Sequence, residues 1–300
     1  MGYIYLLFAL TGGLVKGFTG KKISRDIQSV KDSLFVNTIR MLLCALIGAG
    51  LLLMKEGHKA FYISGNEIMI CCLSAVAMCF FCVCWMCAYR SAAYMFLSVV
   101  SMLGSVFTCL CGLLIYHEPI GVGQWGGILL LFLAIFIMSK YNKDLKEQKG
   151  FSKKELLILA LGCVGLSFSD FSQKIFILET GKSASILNFY TYAIAFVLLL
   201  VLFFTVSLVK KDATVSQELL SKENITGYLC ISAFLYLNSI CKTMAVSEGL
   251  TTAQIYPVLN GANLIASAIL ARILLKEKIT KKSIIGMLCA FLGLLAINLL

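Results

Sequence analysis

The stretch EPIGVGQWGGILLLFL at 118–133 has a counterpart, EKITKKSIIGMLCAFL at 277–292, and the pair decides the fold. On one shift of 159 positions, Glu118 falls on Glu277, Ile120 on Ile279, Gly127 on Gly286, Leu129 on Leu288 and Phe132-Leu133 on Phe291-Leu292. Self-similarity at a fixed offset marks a repeated structural unit. Each stretch closes a set of five hydrophobic spans. An odd number of crossings makes the second set enter the membrane from the opposite side, so the two sets form an inverted-topology repeat with a cavity between them.

Composition points to lipid as the solvent. Of 300 residues, 60% are hydrophobic, 14% carry a charge and two are proline. Soluble domains carry roughly a quarter charged residues. A larger core cannot absorb that difference, because a soluble surface still has to face water. Crossing about 30 Å of hydrocarbon takes about 20 apolar residues, and a helix satisfies its own backbone groups there. The spans read as 2–19, 33–54, 67–88, 92–116, 121–139, 155–176, 184–208, 225–247, 250–274 and 283–299. The expected class is all-α integral membrane, with ten transmembrane helices as two inverted five-helix repeats. The first repeat covers 1–139, a lysine-rich linker 140–154, and the second repeat 155–300. Tight turns at Ala88–Ser91 and Ser247–Gly249 fall at equivalent places, and the polar connection 210–224 has room for a short surface helix.

The net charge of +11 is spread over these connections, which suits headgroup anchoring and not nucleic acid. Connections after odd-numbered spans hold 18 Lys and Arg against 3 after even-numbered ones, so the positive-inside rule places both termini outside. Thirteen cysteines lie mostly within spans, and the run from Cys71 to Cys87 in the third span is remote in sequence from His58 and His117. They read as small buried thiols, with neither a metal site nor disulfides expected. The first span has no basic leader and is interrupted by Lys16, unlike a cleaved signal peptide.

Ala88-Tyr-Arg-Ser-Ala92, a long span, Glu118 and Gly127 together resemble the first half of an EamA-type transporter of the drug/metabolite transporter superfamily. Asn37-Thr-Ile-Arg40-Met-Leu resembles the family's arginine at the head of the second helix. Thr252-Ala-Gln-Ile-Tyr-Pro257, Glu277 and Gly286 match the second half. The likeness covers nearly the whole chain through individually weak motifs in the right order. It implies two inverted five-helix bundles, alternating access to a central cavity, and transport of a small metabolite without ATP. Two features depart from it. Thr11-Gly-Gly13 stands where members commonly carry Trp-Gly, and the family's usual cytoplasmic termini conflict with the lysine count.

Ionisable residues inside spans are costly, about 2.5–3.5 kcal/mol on insertion scales, and tend to face a cavity or a partner. Lys16 either snorkels to headgroups or enters the cavity. Arg40 either clamps a carboxylate or phosphate or braces backbone carbonyls. Asp170 forms a local ion pair with Lys174 at i, i+4, or serves a proton or a substrate amine. Lys242 sits too deep for easy snorkelling, near Tyr236, Asn238 and Ser239. Asn188, Tyr190 and Tyr192, with Gln254, Tyr256, Asn260 and Asn263, either join helices or line the path. Pro257 removes a backbone donor and marks a kink or hinge. Glu118 and Glu277 read as helix-end residues on opposite faces, so they cannot form one acid–base pair.

The leading expectation is a secondary transporter of a small metabolite, an amino acid or organic anion, with export as one direction. Intramembrane cations outnumber the acid, and no carboxylate in the first span serves a lipophilic-cation pump. The alternatives are a small-multidrug-like exporter of lipophilic compounds, or a non-transporting membrane protein, either a scaffold or a lipid-modifying enzyme. No phosphate-binding loop is present and no cofactor is expected. The expected partners are a small-molecule substrate and the lipid bilayer, with a coupling proton or a counter-substrate both compatible. Ten helices can enclose a cavity alone, and the sequence carries no mark of oligomeric state. The expected location is the plasma (cytoplasmic) membrane, as a multi-pass protein.

Overall fold

A computed structural model describes residues 2–116, 120–144, 153–209, 214–248 and 252–299. Among the described residues there are eleven α-helices and no strand. They are α1 (Gly2–Ile23), α2 (Val30–Glu56), α3 (Gly65–Ser91), α4 (Tyr94–Val100), α5 (Leu103–Tyr116) and α6 (Val122–Asp144). The second half holds α7 (Lys153–Thr180), α8 (Ala184–Val209), α9 (Lys222–Ser247), α10 (Thr252–Ile273) and α11 (Lys281–Leu299). Short 3-10 turns at His58–Phe61 and Gln217–Leu220 lie in two connections, the second within the polar stretch that had room for a short surface helix. Among the described residues, six helices are long and apolar enough to cross a membrane, and the apolar stretches Glu155–Ser169 and Leu259–Ile273 are shorter.

Local chemistry sets the ends. Ser29 and Asp32 form a reciprocal capping box at the start of α2, as do Ser64 and Glu67 at α3. Asp32 is used twice, since its other carboxylate oxygen accepts from the Ser216 amide at 3.1 Å. At the edges of the lysine-rich linker, α6 continues to Asp144 and α7 begins at Lys153.

The fourth span, read as continuous over 92–116, is two helices. Ser98 and Ser101 turn their hydroxyls back onto the carbonyls of Tyr94 and Ser98, offering the backbone a competing acceptor pattern. The Met102 and Gly104 amides then bond to Val99 and Ser101, a tighter i to i−3 turn. Ser167 of α7 donates to the Gly104 carbonyl at 2.8 Å, and a Cβ at Gly104 would lie 3.4 Å from that hydroxyl.

The largest interfaces join the halves: α1 on α9, α3 on α7, α2 on α8 and α6 on α11. Under the repeat, α1 corresponds to α7, α2 to α8, α3 to α9, α4–α5 to α10 and α6 to α11. Exchanging the halves therefore carries this packing scheme onto itself. Two of these corresponding pairs also run in opposite directions. Along α6 and α11, Gln124 donates to the Ile297 carbonyl at one end and Gly286 meets Met138 at the other. Along α2 and α8, Phe35 packs at a tilt against Phe203 at one end and Gly48 lies against Phe189 at the other. The repeated glycines owe their place to this packing. A Cβ at Gly127 would stand 2.6 Å from the Gly293 carbonyl, and one at Gly286 would stand 2.6 Å from Met138.

Candidate functional site

Where α1, α2, α8 and α9 meet, polar side chains converge inside an otherwise apolar bundle. Gly12 lets α1 approach α9 closely, since a Cβ there would stand 2.9 Å from the Phe234 carbonyl. That approach brings Lys16 onto Asn238, whose Oδ1 accepts from Lys16 Nζ at 3.4 Å while its Nδ2 donates to the Ala9 carbonyl at 2.5 Å. Asn263 of α10 approaches the same place, with its Oδ1 3.9 Å from the Cβ position of Gly13.

Arg40 enters from α2. Its Nη1 donates to Asn37 Oδ1 at 2.8 Å, and Asn37 is itself anchored by donating to the Cys82 carbonyl at 3.2 Å. Arg40 Nε is buried and has no partner among the described residues. Lys16 and Arg40 both lie within electrostatic reach of the Cys44 and Cys82 thiols, so the two cations share one region. Tyr192 and Tyr236 pack there with ring centroids 6.0 Å apart, and Ser239 donates to Asn188 Oδ1 at 3.4 Å. Acids such as Asp26, Asp32, Glu67, Glu223 and Glu277 lie at helix ends or in connections, away from this group. Two half-buried cations with polar neighbours form a site suited to a carboxylate or phosphate.

A second polar cluster closes one end of the bundle. Glu277, 8% exposed in the turn before α11, accepts from the Tyr94 amide at 2.6 Å and the Met95 amide at 3.2 Å. Asn142 accepts from Ala93 N at 2.7 Å, and Lys21 donates to the Ala92 carbonyl at 2.5 Å. The N-terminus of α4 is thus capped by residues from α6 and the α10–α11 turn, with α1 alongside. Burial pushes the Glu277 carboxyl above the usual carboxylate range, against the pull of both amides and of Lys21. At the opposite end, Lys182 pairs with Glu67 at 2.8 Å and Tyr190 donates to the Phe61 carbonyl at 2.6 Å, again joining the two halves.

Of the residues singled out in the sequence, the structure brings Arg40, Asn188, Tyr192, Asn238 and Asn263 towards the centre. Tyr190 is at the rim, on Phe61. Lys242 is half-buried on α9, one turn beyond Asn238, and Asn260 is half-buried on α10. Asp170, Lys174, Gln254, Tyr256 and Pro257 belong to α7 and α10, but their side chains lie outside the described set, as does Glu118 altogether. Glu277 does occupy a helix end, although the helix it caps is α4. Lys16, which the sequence left between snorkelling and the cavity, has its ammonium group on Asn238. Cys44 and Thr191 were missed, having no sequence signal beyond being small and polar within apolar runs.

A model of the EamA-like transporter family matches residues 3–140 and again residues 153–299. No curated protein is similar enough in sequence to count as a match. Among solved structures, a crystal structure of a protein aligns with a TM-score of 0.62 at 11% identity, covering 96% of this chain and 97% of that one. At that identity the likeness speaks for the fold alone. With a family match to each half of an apolar, all-helical chain, the protein belongs to the EamA-like transporter family, membrane transporters of the drug/metabolite superfamily.

Proposed function

We propose that the chain is a secondary transporter of small anionic or zwitterionic metabolites, amino acids or organic acids, working by alternating access. The observation that carries this reading is the convergence of Lys16 and Arg40 on one half-buried polar region. A substrate carboxylate there gains charge-assisted hydrogen bonds from both and satisfies Arg40 Nε. Tyr192, Tyr236 and Asn263 offer polar edges and apolar faces for the remainder of the substrate, and Lys242 lies one turn along α9.

In this reading α4 and α5 together make one interrupted crossing, which brings the total to ten in two inverted halves. The antiparallel course of α2 against α8 and of α6 against α11 supports the inversion. Alternating access then consists of breaking the Glu277–α4 cluster to open one end and the Lys182–Glu67 contact to open the other. Asp170 is the intramembrane acid available to a coupling proton. The lysine distribution puts both termini outside the plasma membrane and the Glu277 cluster at the cytoplasmic end.

The test is uptake into proteoliposomes. Radiolabelled amino acids and organic acids should accumulate saturably when an outward gradient of the same solute is imposed. Preference for lipophilic cations over these solutes would defeat the charge argument and favour the multidrug reading.

A further inference from the structure

On the outer wall of the second half, α10 and α11 leave between them a groove of about 540 Å³. That volume is in the range of small-molecule pockets, roughly 300–1,000 Å³. Leu264, Ala268, Ile269 and Ile273 form one wall, and Leu288 and Phe291 form much of the other. Arg272 is the single charged side chain among the described lining residues, and it stands at one end. Ile265, Ile269, Ile273 and Leu288 are each half to two-thirds exposed along the rim, so the groove opens sideways, where a membrane protein meets lipid.

Length and charge both select the occupant. From Arg272 to Leu264 the helix rises about 12 Å at 1.5 Å per residue. That is close to the depth of one leaflet, half of about 30 Å. Beyond Arg272 the chain reverses through Lys276, at φ 55°, and the Glu277 amide bonds back to the Ala271 carbonyl at 3.0 Å. This turn sends the Glu277 carboxylate inward onto α4 and leaves Arg272 exposed on the groove, with Lys276 and Lys278 exposed in the turn that follows. The nearby Asp144 is already engaged by Lys282 at 2.5 Å. The open end is therefore cationic at headgroup depth, and everything below it is apolar.

We propose that this groove seats one acyl chain of an anionic phospholipid whose phosphate is held by Arg272, with Lys276 and Lys278 beside it. Arg272 Nη1 also lies 3.5 Å from the Glu277 carbonyl, so the bound phosphate couples the lipid to the turn that caps α4. The site depends on the chain lying in a bilayer and not on which solute it carries.

Native mass spectrometry of the full chain in detergent tests this with phosphatidylglycerol, phosphatidylcholine and soluble glycerol phosphate. Phosphatidylglycerol should be retained at one molecule per chain, in preference to phosphatidylcholine. Arg272→Gln should lower that retention roughly fivefold, the effect of removing one basic contact of about 1 kcal/mol. Leu288→Trp fills the groove without altering charge and should also expel the lipid; Ile269→Trp repeats the test should the first variant melt early. Equal retention of both lipids, or retention unchanged by either kind of variant, overturns the proposal. So does displacement by glycerol phosphate, which would make the site one for free phosphate. A stable dimer that cross-links through Ile269→Cys would show a second copy in the groove and overturn it too.

Discussion

Lys16 and Lys21 lie five residues apart on α1, yet they serve opposite kinds of polar region. Lys16 reaches Asn238 at 3.4 Å in a half-buried centre where Arg40 supplies a second cation. Lys21, 6% exposed, donates at 2.5 Å to the Ala92 carbonyl, beside a carboxylate that holds two amides. The centre gathers positive charge, and Arg40 Nε has no partner there among the described residues. The end cluster balances its charges and assigns partners to the backbone groups around α4, although Asn142 Nδ2 has no partner among the described residues. A region that binds a ligand in turn must keep unspent hydrogen-bonding capacity. A cluster that closes one end of the bundle satisfies its backbone groups within the protein, because a hydrogen bond left unmade at a buried group costs about 1–3 kcal/mol.

The centre should therefore respond in transport and the end cluster in stability. The largest expected effect is from Arg40→Met or Lys16→Met. Each removes a charge-assisted contact of about 1.5–3 kcal/mol and should weaken substrate affinity roughly 10- to 100-fold, read as a raised KM in proteoliposomes. Wild-type KM in both variants would erase the distinction.

Next comes Glu277→Gln, which exchanges a carboxylate for an amide at the α4 N-terminus and should lower the melting temperature. Its pH dependence is diagnostic. The folded state holds this proton more tightly than the unfolded chain, so the stability it contributes is fullest below the ordinary carboxylate pKa. That contribution declines as pH rises through the folded value. The melting difference between wild type and Glu277→Gln should therefore shrink from pH 5 towards pH 8. A difference that grows with pH would mean that Glu277 is held as an ordinary surface carboxylate. The smallest effect should come from Lys182→Met at the opposite end. Its pair with Glu67 is partly solvated and is worth about 1 kcal/mol or less, detectable as a shift of a few degrees or less in melting.

The helical class and the doubled organisation were legible because both are one-dimensional properties. Apolar run length reports on the solvent, and a common offset of 159 survives inspection without coordinates. The interruption of the fourth span was written in Ser98, Ser101 and Gly104, spaced three apart, but long apolar flanks masked it. Arg40 and Asn238 stood out as polar groups within lipid-length runs. Glu277 was legible as a helix-end residue, but not as the cap of α4, which lies about 180 positions away along the chain.

Composition and repetition by themselves determined that the chain is helical, lives in lipid and is built twice, since both act through local hydrophobicity and chain length. Which polar residues share a site was decided only by tertiary packing. Five residues along a helix rotate a side chain by about 140°, so Lys16 and Lys21 present to different neighbours on α1. Those neighbours are in place because Gly12 lets α9 approach and because α4 begins beside the turn that carries Glu277.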